Sequence, residues 1–296
     1  MGKAQLPGVE IPREFWPTNN SHGGPLPRFL EHNPARIWVL SSHPQWLICL
    51  VIMPGPVGWA CLMGPTNLLG TTPQGTGSVF EPICPDIWTL GLDWFRQLGC
   101  PMVQFLKADR PANGPPLSLP KGFAPIAEFW DLRWQYPTDS PTPPTLGKRS
   151  WAKSQAKDCG DIAVQTMSGS LDCPALTSFR SDALAWDSLI QIHGKNSPCW
   201  ILEWEDSAVG VLLGQLPESG LFDFPQTGAI SYFGLIPSFR GKNLGCGFLT
   251  DFLHFEVPKK GAMTTMVDAG NIPALRAYQK TGFEKIGTSR LFFITL

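Results

Sequence analysis

The chain has 296 residues, 43% hydrophobic and 16% charged, with a formal net charge of −1. So small a net charge removes the electrostatic case for nucleic acid or an anionic membrane as partner. The length suggests two domains, with enough apolar residues for a sizeable core.

The first thirty residues are rich in Pro and Gly and lack the apolar stretch of a signal peptide. Trp46–Met53 and Val57–Met63 read as a hairpin about Pro54-Gly55-Pro56. The run from Trp46 to Met53 is the longest apolar one, and it is too short to span a bilayer. Ile87–Leu98 shows helical spacing, with Ile87, Leu90, Trp94 and Leu98 on one stripe. Gly99 ends that helix, and Met102–Leu106 reads as a strand. Tyr136–Thr145 contains four prolines and predicts an extended, exposed linker. The expected division is a domain over 1–136, a Pro-rich linker over 137–150 and a second domain over 151–296.

In the second half, Ser181–Ile190 reads as an amphipathic helix, with Leu184, Trp186 and Leu189 as candidate walls of a cleft or, more ordinarily, packing residues. Trp200–Glu205 and Ala208–Gln215 form a predicted hairpin. A strand (Ala229–Ile236), a helix (Phe248–Val257), a strand (Met263–Asp268), a further helix and the last strands follow. Eight cysteines are scattered without a C-x-x-C pair, which excludes a zinc ribbon or a thioredoxin motif. They read as buried free thiols, and a cytoplasmic location suits them. The histidines at 22, 32, 43, 193 and 254 lack metal-ligand spacing, so no metal is expected.

The most informative stretch is Ile236-Pro237-Ser238-Phe239-Arg240-Gly241-Lys242-Asn243-Leu244-Gly245-Cys246-Gly247, set between a strand and a helix. Such a turn aims backbone N–H groups inward at a helix start, where the dipole adds partial positive charge. It predicts a phosphate-bearing ligand. Neither a Walker A loop nor a dinucleotide fingerprint is present. Downstream, Asn271 is a natural N-cap, Pro273 falls in the first helical turn, and Gly282 closes the helix. Ala274 and Tyr278 then share one helical face.

Both segments resemble the GNAT acyltransferase superfamily. The loop is similar to its Arg/Gln-x-x-Gly-x-Gly/Ala motif, with Arg240 first, Gly245 last and Asn243 in place of the first glycine. Asn tolerates positive φ better than other non-glycine residues. The second segment matches Asn-x-x-Ala-x-x-x-Tyr-x-x-x-Gly-Phe at Asn271, Ala274, Tyr278, Gly282 and Phe283. The resemblance covers roughly residues 160–296. It implies an α/β (α+β) fold whose mixed central sheet is flanked by helices, and acetyl-CoA as acyl donor. It further implies that the strand before the loop splays from its neighbour. Leu235 and Ile236 then offer backbone groups to the pantetheine arm. N–H groups of Arg240, Gly241, Lys242, Asn243, Leu244, Gly245 and Cys246 hold the pyrophosphate, and Asn271 contacts the pantetheine region. Tyr278 protonates the departing thiolate. For the base, Asp268 is a weak candidate and Glu203 a weaker one; a water relay is equally open.

The implied reaction moves an acetyl group to a primary amine of a small molecule or a protein, by direct attack in a ternary complex. The alternative is a non-catalytic acyl-CoA-binding regulatory protein. A monomer or a homodimer fits either.

The first half echoes the second. Lys121-Gly122-Phe123 matches Thr281-Gly282-Phe283, and Asp109 precedes its Gly-Phe at nearly the distance of Asp268 from its own. In place of the loop stands Glu81-Pro82-Ile83-Cys84-Pro85, and in place of the tyrosine helix stands Pro111–Pro116. Ser118 falls where Tyr278 would. Two tandem GNAT-like domains are therefore expected, the N-terminal copy degenerate.

Overall fold

A computed structural model describes residues 37–43, 46–53, 57–63, 85–108, 119–137, 147–174, 181–217 and 227–296. Most of the expected linker, the segment at Pro111–Pro116 and residues 81–84 lie outside these. The chain divides into two compact units, residues 1–126 with 290–296, and residues 127–289.

The first unit holds β1 (Ile37–His43), β2 (Trp46–Met53), β3 (Val57–Met63), α1 (Pro85–Gln97) and β4 (Met102–Ala108). The order is β1-β2-β3-β4, with β3 and β4 parallel and the other pairs antiparallel. Met53 faces Val57 across the Pro-Gly-Pro connection, as the hairpin reading requires. The helix buries Trp88, Leu92 and Phe95 against Val103 and Phe105. Gly58 makes room for this, since a Cβ there would stand 2.7 Å from the Phe95 ring. Of the expected stripe, Trp94 packs partly buried against this core, and the side chains of Ile87 and Leu90 lie outside the described residues. The helix stops at Gln97, so Leu98 lies in the turn to Gly99 (φ 72°) and is 47% exposed. Phe292, Ile294 and Leu296 pack on this core, and the Leu296 N–H donates to the Pro101 carbonyl at 3.0 Å.

The second unit is a mixed sheet in the order β11-β5-β10-β9-β8-β7-β6. Its strands are β5 (Ala124–Gln135, from Ala127 on), β6 (Arg149–Gln155), β7 (Pro198–Trp204), β8 (Ser207–Gln215), β9 (Thr227–Leu235), β10 (Ala262–Asp268) and β11 (Glu284–Thr295, as far as Ser289). Its helices are α2 (Gly160–Met167), α3 (Asp182–His193), α4 (Leu244–Phe255) and α5 (Ile272–Lys280). Strand β8 shows how the faces part. Leu212 joins Phe248, Phe252 and Leu275 of α4 and α5, while Val211 and Leu213 join Ala163 and Trp186 of α2 and α3. In α3, Trp186 is the buried residue of the three expected walls; Leu184 and Leu189 are partly buried.

The expected boundary at 136 does not coincide with that between the units. Phe129 to Gln135 of β5 pair with Asp268 to Ala262 of β10, so this stretch is part of the second unit's sheet. Backbone pairing places it there, and local composition carries no trace of that.

One tie seats α4. Arg149 of β6 donates from Nε to Asp251 Oδ2 at 2.6 Å, and Asp251 is wholly buried. Gly247 permits the approach, because a Cβ there would lie 2.9 Å from the guanidinium.

Candidate active site

Strand β9 ends at Leu235, a 3-10 turn follows over Pro237–Phe239, and α4 starts at Leu244. Between them Gly241 (φ 72°) and Asn243 (φ 59°) are both left-handed. Asn243 takes the N-cap place but makes no side-chain cap bond. The substitution of Asn for glycine is thus met by the one conformation Asn tolerates well. No N–H from Gly241 to Cys246 donates a hydrogen bond to another described residue, apart from α4's own helical bonds. A helix start leaves such donors over, and here the loop extends the row.

Arg240 departs from its expected place in that row. Its N–H donates to the Pro237 carbonyl at 3.1 Å. Its guanidinium reaches three more carbonyls: Nε to Leu235 at 2.9 Å, Nη1 to Gly169 at 3.1 Å and Nη2 to Thr166 at 2.7 Å. Lys242 Nζ stands 5.0 Å over the Phe239 ring, and Cys246 is partly exposed.

Strands β9 and β10 pair only where Thr227, Gly228 and Ala229 meet Ala262, Met263 and Thr264. Beyond that point they diverge, while β9 stays paired to β8 and β10 to β5. This is the splay the sequence implied. The Ile236 N–H donates to the Val209 carbonyl at 2.9 Å, so it faces β8. Alternation along an antiparallel edge then turns the backbone groups of Leu235 and Phe233 toward the opening. Phe233, and not Ile236, partners Leu235 on that edge. The strand's own two-residue period was the signal for it.

Helix α5 delivers the tyrosine. Asn271 Oδ1 accepts the Ala274 N–H at 3.3 Å, Pro273 lies in the first turn, and Gly282 (φ 89°) follows the C-cap. Tyr278 is 4% exposed, with Phe283 at 5.0 Å and Phe233 of β9 at 6.4 Å between ring centroids. Burial pushes its phenol well above the ordinary tyrosine range; Thr265 opposes the shift, and the Asp172 charge adds to it. Tyr278 therefore keeps its proton far above neutral pH.

Asp268 is 7% exposed, and both carboxylate oxygens are occupied. Oδ1 accepts the Gly270 N–H at 2.7 Å and Oδ2 the Cys173 N–H at 2.8 Å. Its own N–H donates to Asp172 Oδ1 at 3.4 Å. These bonds engage one oxygen with the backbone two residues on and the other with backbone 95 residues away in sequence. Glu203 accepts from Ser150 Oγ at 2.9 Å on the neighbouring strand β6.

Four side chains near the opening escaped the sequence. Thr166 Oγ1 donates to the Ala163 carbonyl at 2.7 Å, so it accepts from the Tyr232 hydroxyl 3.0 Å away. Burial, first of all, pushes Tyr232 up to about 12. His193 Nδ1 lies 3.5 Å from Ser231 Oγ, and burial lowers the imidazole to about 4, so it is neutral at pH 7. Asp172 acts on both phenols, and no motif marks it.

Among the described residues no cluster of His, Cys, Asp or Glu could hold a metal ion. No described helix is long and apolar enough to cross a membrane. Cys100, Cys159, Cys173 and Cys199 are buried free thiols.

Residues 169–283 match the model of the acetyltransferase (GNAT) family. Solved structures share the fold at low identity. A GCN5-related N-acetyltransferase from Kribbella flavida is 13% identical over 93% of this chain and 96% of its own, with a TM-score of 0.53. One from Sphaerobacter thermophilus is 13% identical over 90% and 84%, with a TM-score of 0.52. A functionally unknown conserved protein from Staphylococcus epidermidis is 10% identical over 87% and 93%, with a TM-score of 0.51. No curated protein matches the chain.

Proposed function

We propose that the second unit is an N-acetyltransferase that moves an acetyl group from acetyl-CoA to a primary amine of a small molecule or a protein. One observation carries this reading. The β9–β10 opening has a row of undonated N–H groups at one end and a buried, protonated phenol inside it. The pyrophosphate sits on the N–H groups of Gly241 to Cys246. The pantetheine arm runs along the splayed edge of β9, at Phe233 and the Leu235 N–H, beside Asn271; the Leu235 carbonyl is taken by Arg240 Nε. The amine attacks the thioester carbonyl directly, and as the C–S bond breaks the thiolate takes the Tyr278 proton. The rest of the rate comes from holding amine and thioester in line.

The first half is a degenerate copy without a donor site. Gly122 (φ 108°) and Gly282 (φ 89°) support this: each precedes a Phe that opens onto a strand of 12 residues. The chain works in the cytoplasm as a monomer or homodimer, where its buried thiols stay reduced. The left-handed fit of Asn243 favours the catalytic reading over the regulatory one, which keeps its second ground, the lack of a carboxylate on β9 before the loop.

The test uses the full chain. Calorimetry is expected to find one acetyl-CoA site, CoA competing and ATP ignored. Tyr278→Phe is expected to keep that site and to slow turnover of a primary-amine panel about 10²–10⁴-fold. Absence of acetyl-CoA binding overturns the reading; binding without turnover of any amine favours the regulatory one. Two sites would show that the first half also binds.

A further inference from the structure

The last carbonyls of α2 and the residues after it are held from two sides. At the end of β9, the Arg240 fork takes the Thr166 and Gly169 carbonyls together with that of Leu235. At the end of β10, the Asp268 carboxylate takes the Cys173 N–H, and the Asp268 N–H reaches Asp172. These strands are the ones that splay, so the segment runs from one arm of the opening to the other. Its course is not relaxed. Cys173 has φ 45° and is 6% exposed, a conformation that a non-glycine residue keeps only when its surroundings enforce it. A third tie, Thr166 to the Tyr232 hydroxyl, fixes the segment's start to the middle of β9.

We propose that Thr166–Cys173 is a strap across the β9–β10 opening, and that Arg240 and Asp268 are positioning residues that hold its two ends. The proposal rests on the acetyltransferase reading only for its consequence: the strap is the acceptor-side wall, with Asp172 between its anchors. Arg240 belongs to the donor loop by sequence and to the strap by its bonds. A residue of the donor loop thus fixes the shape of the acceptor side without itself joining the N–H row. Only an arginine serves here, because three carbonyls in different directions need a planar fork with several N–H donors. Lysine preserves the charge and loses the fork.

The experiment is hydrogen exchange by mass spectrometry on the full chain, following peptides over 166–174. Wild type is compared with Arg240→Lys, Arg240→Gln and Asp268→Asn, and melting curves confirm folding. Both Arg240 variants are expected to speed exchange in 166–170 about tenfold. Asp268→Asn, which retains one acceptor oxygen, is expected to show a smaller rise centred on 172–174. Calorimetry with acetyl-CoA is expected to change less than about threefold in Arg240→Lys, since the N–H row survives. On the amine turned over fastest by wild type, the acceptor KM is expected to rise while the acetyl-CoA KM holds. If Arg240 is instead a phosphate contact, Arg240→Lys leaves exchange unchanged and Arg240→Gln loses acetyl-CoA; that result overturns the proposal. So does unchanged exchange in all three variants. Should the Arg240 variants not fold, Asp268→Asn decides alone. The exchange step needs no ligand, so the strap can fail while acetyl-CoA binding stands, and the reverse.

Discussion

The two sides of the β9–β10 opening are built from different materials. The loop side is backbone: two left-handed residues, Gly241 and Asn243, and a run of N–H groups that the helix start leaves over. The strap side is side chain on backbone: the Arg240 fork on carbonyls and the Asp268 carboxylate on N–H groups. A backbone cradle demands particular residues, because only a few types take positive φ cheaply. A carbonyl, by contrast, can be offered by any residue. The loop therefore leaves a mark in the sequence and the strap leaves almost none.

The comparison can be broken hardest at the seat of α4. If the N–H row is held from below by the Arg149–Asp251 pair, removing the wholly buried carboxylate breaks a charge-assisted tie between β6 and α4. Asp251→Ala is expected to cost about 3–5 kcal/mol in urea unfolding. A loss below about 1 kcal/mol would mean that the helix keeps its place by apolar packing alone. On the strap side the ties are singly weaker. Tyr232→Phe removes a donor but leaves the Thr166 hydroxyl its bond to the Ala163 carbonyl, so about 1 kcal/mol is expected. A double variant with Thr166→Val that costs the full sum of the two singles would show that the pair does not cooperate, whereas a smaller cost would show that it does.

A further effect on the strap side appears only in acid. His193 is held neutral, with its folded pKa lowered to about 4, whereas an unfolded histidine titrates near 6.5. Between those values the unfolded chain binds more protons than the folded one, so stability falls as pH drops from about 6.5 to about 4. His193→Gln is expected to flatten that part of the stability–pH curve. An unchanged slope would place the acid sensitivity elsewhere.

How much was legible follows the same division. Asn271, Pro273, Tyr278 and Gly282 all took their expected places, because capping and positive φ are local demands. The hairpin Trp46–Met53 with Val57–Met63 was equally local. The bonds of the Arg240 guanidinium could not be read, because a motif fixes where the residue stands, while Gly169 and Thr166 lie 71 and 74 residues upstream in a stretch that carries no pattern. Asp268 looked chemically available for the same reason; the Cys173 N–H that occupies it is 95 residues away in sequence. Strand β5 found its partner in β10, and nothing in Ala124–Gln135 names that partner. Of the stripe on α1, Leu98 departs, because it fits the helical period but lies one residue past the helix end.

The smallest effect sharpens the contrast most. Asn243 departs from the loop motif, yet its φ of 59° is the value a glycine would take there. Left-handed backbone costs a typical residue roughly 1–2 kcal/mol, and Asn much less than that. Asn243→Gly removes the remaining cost but also loosens the unfolded chain, so the net change is expected to stay within about 0.5 kcal/mol. Asn243→Ala bears the full cost and should destabilise by about 1 kcal/mol or more. Thermal melts of the two variants separate the cases. If glycine and alanine behave alike, the left-handed turn is not what shapes the N–H row, and the loop side loses the feature that made it readable.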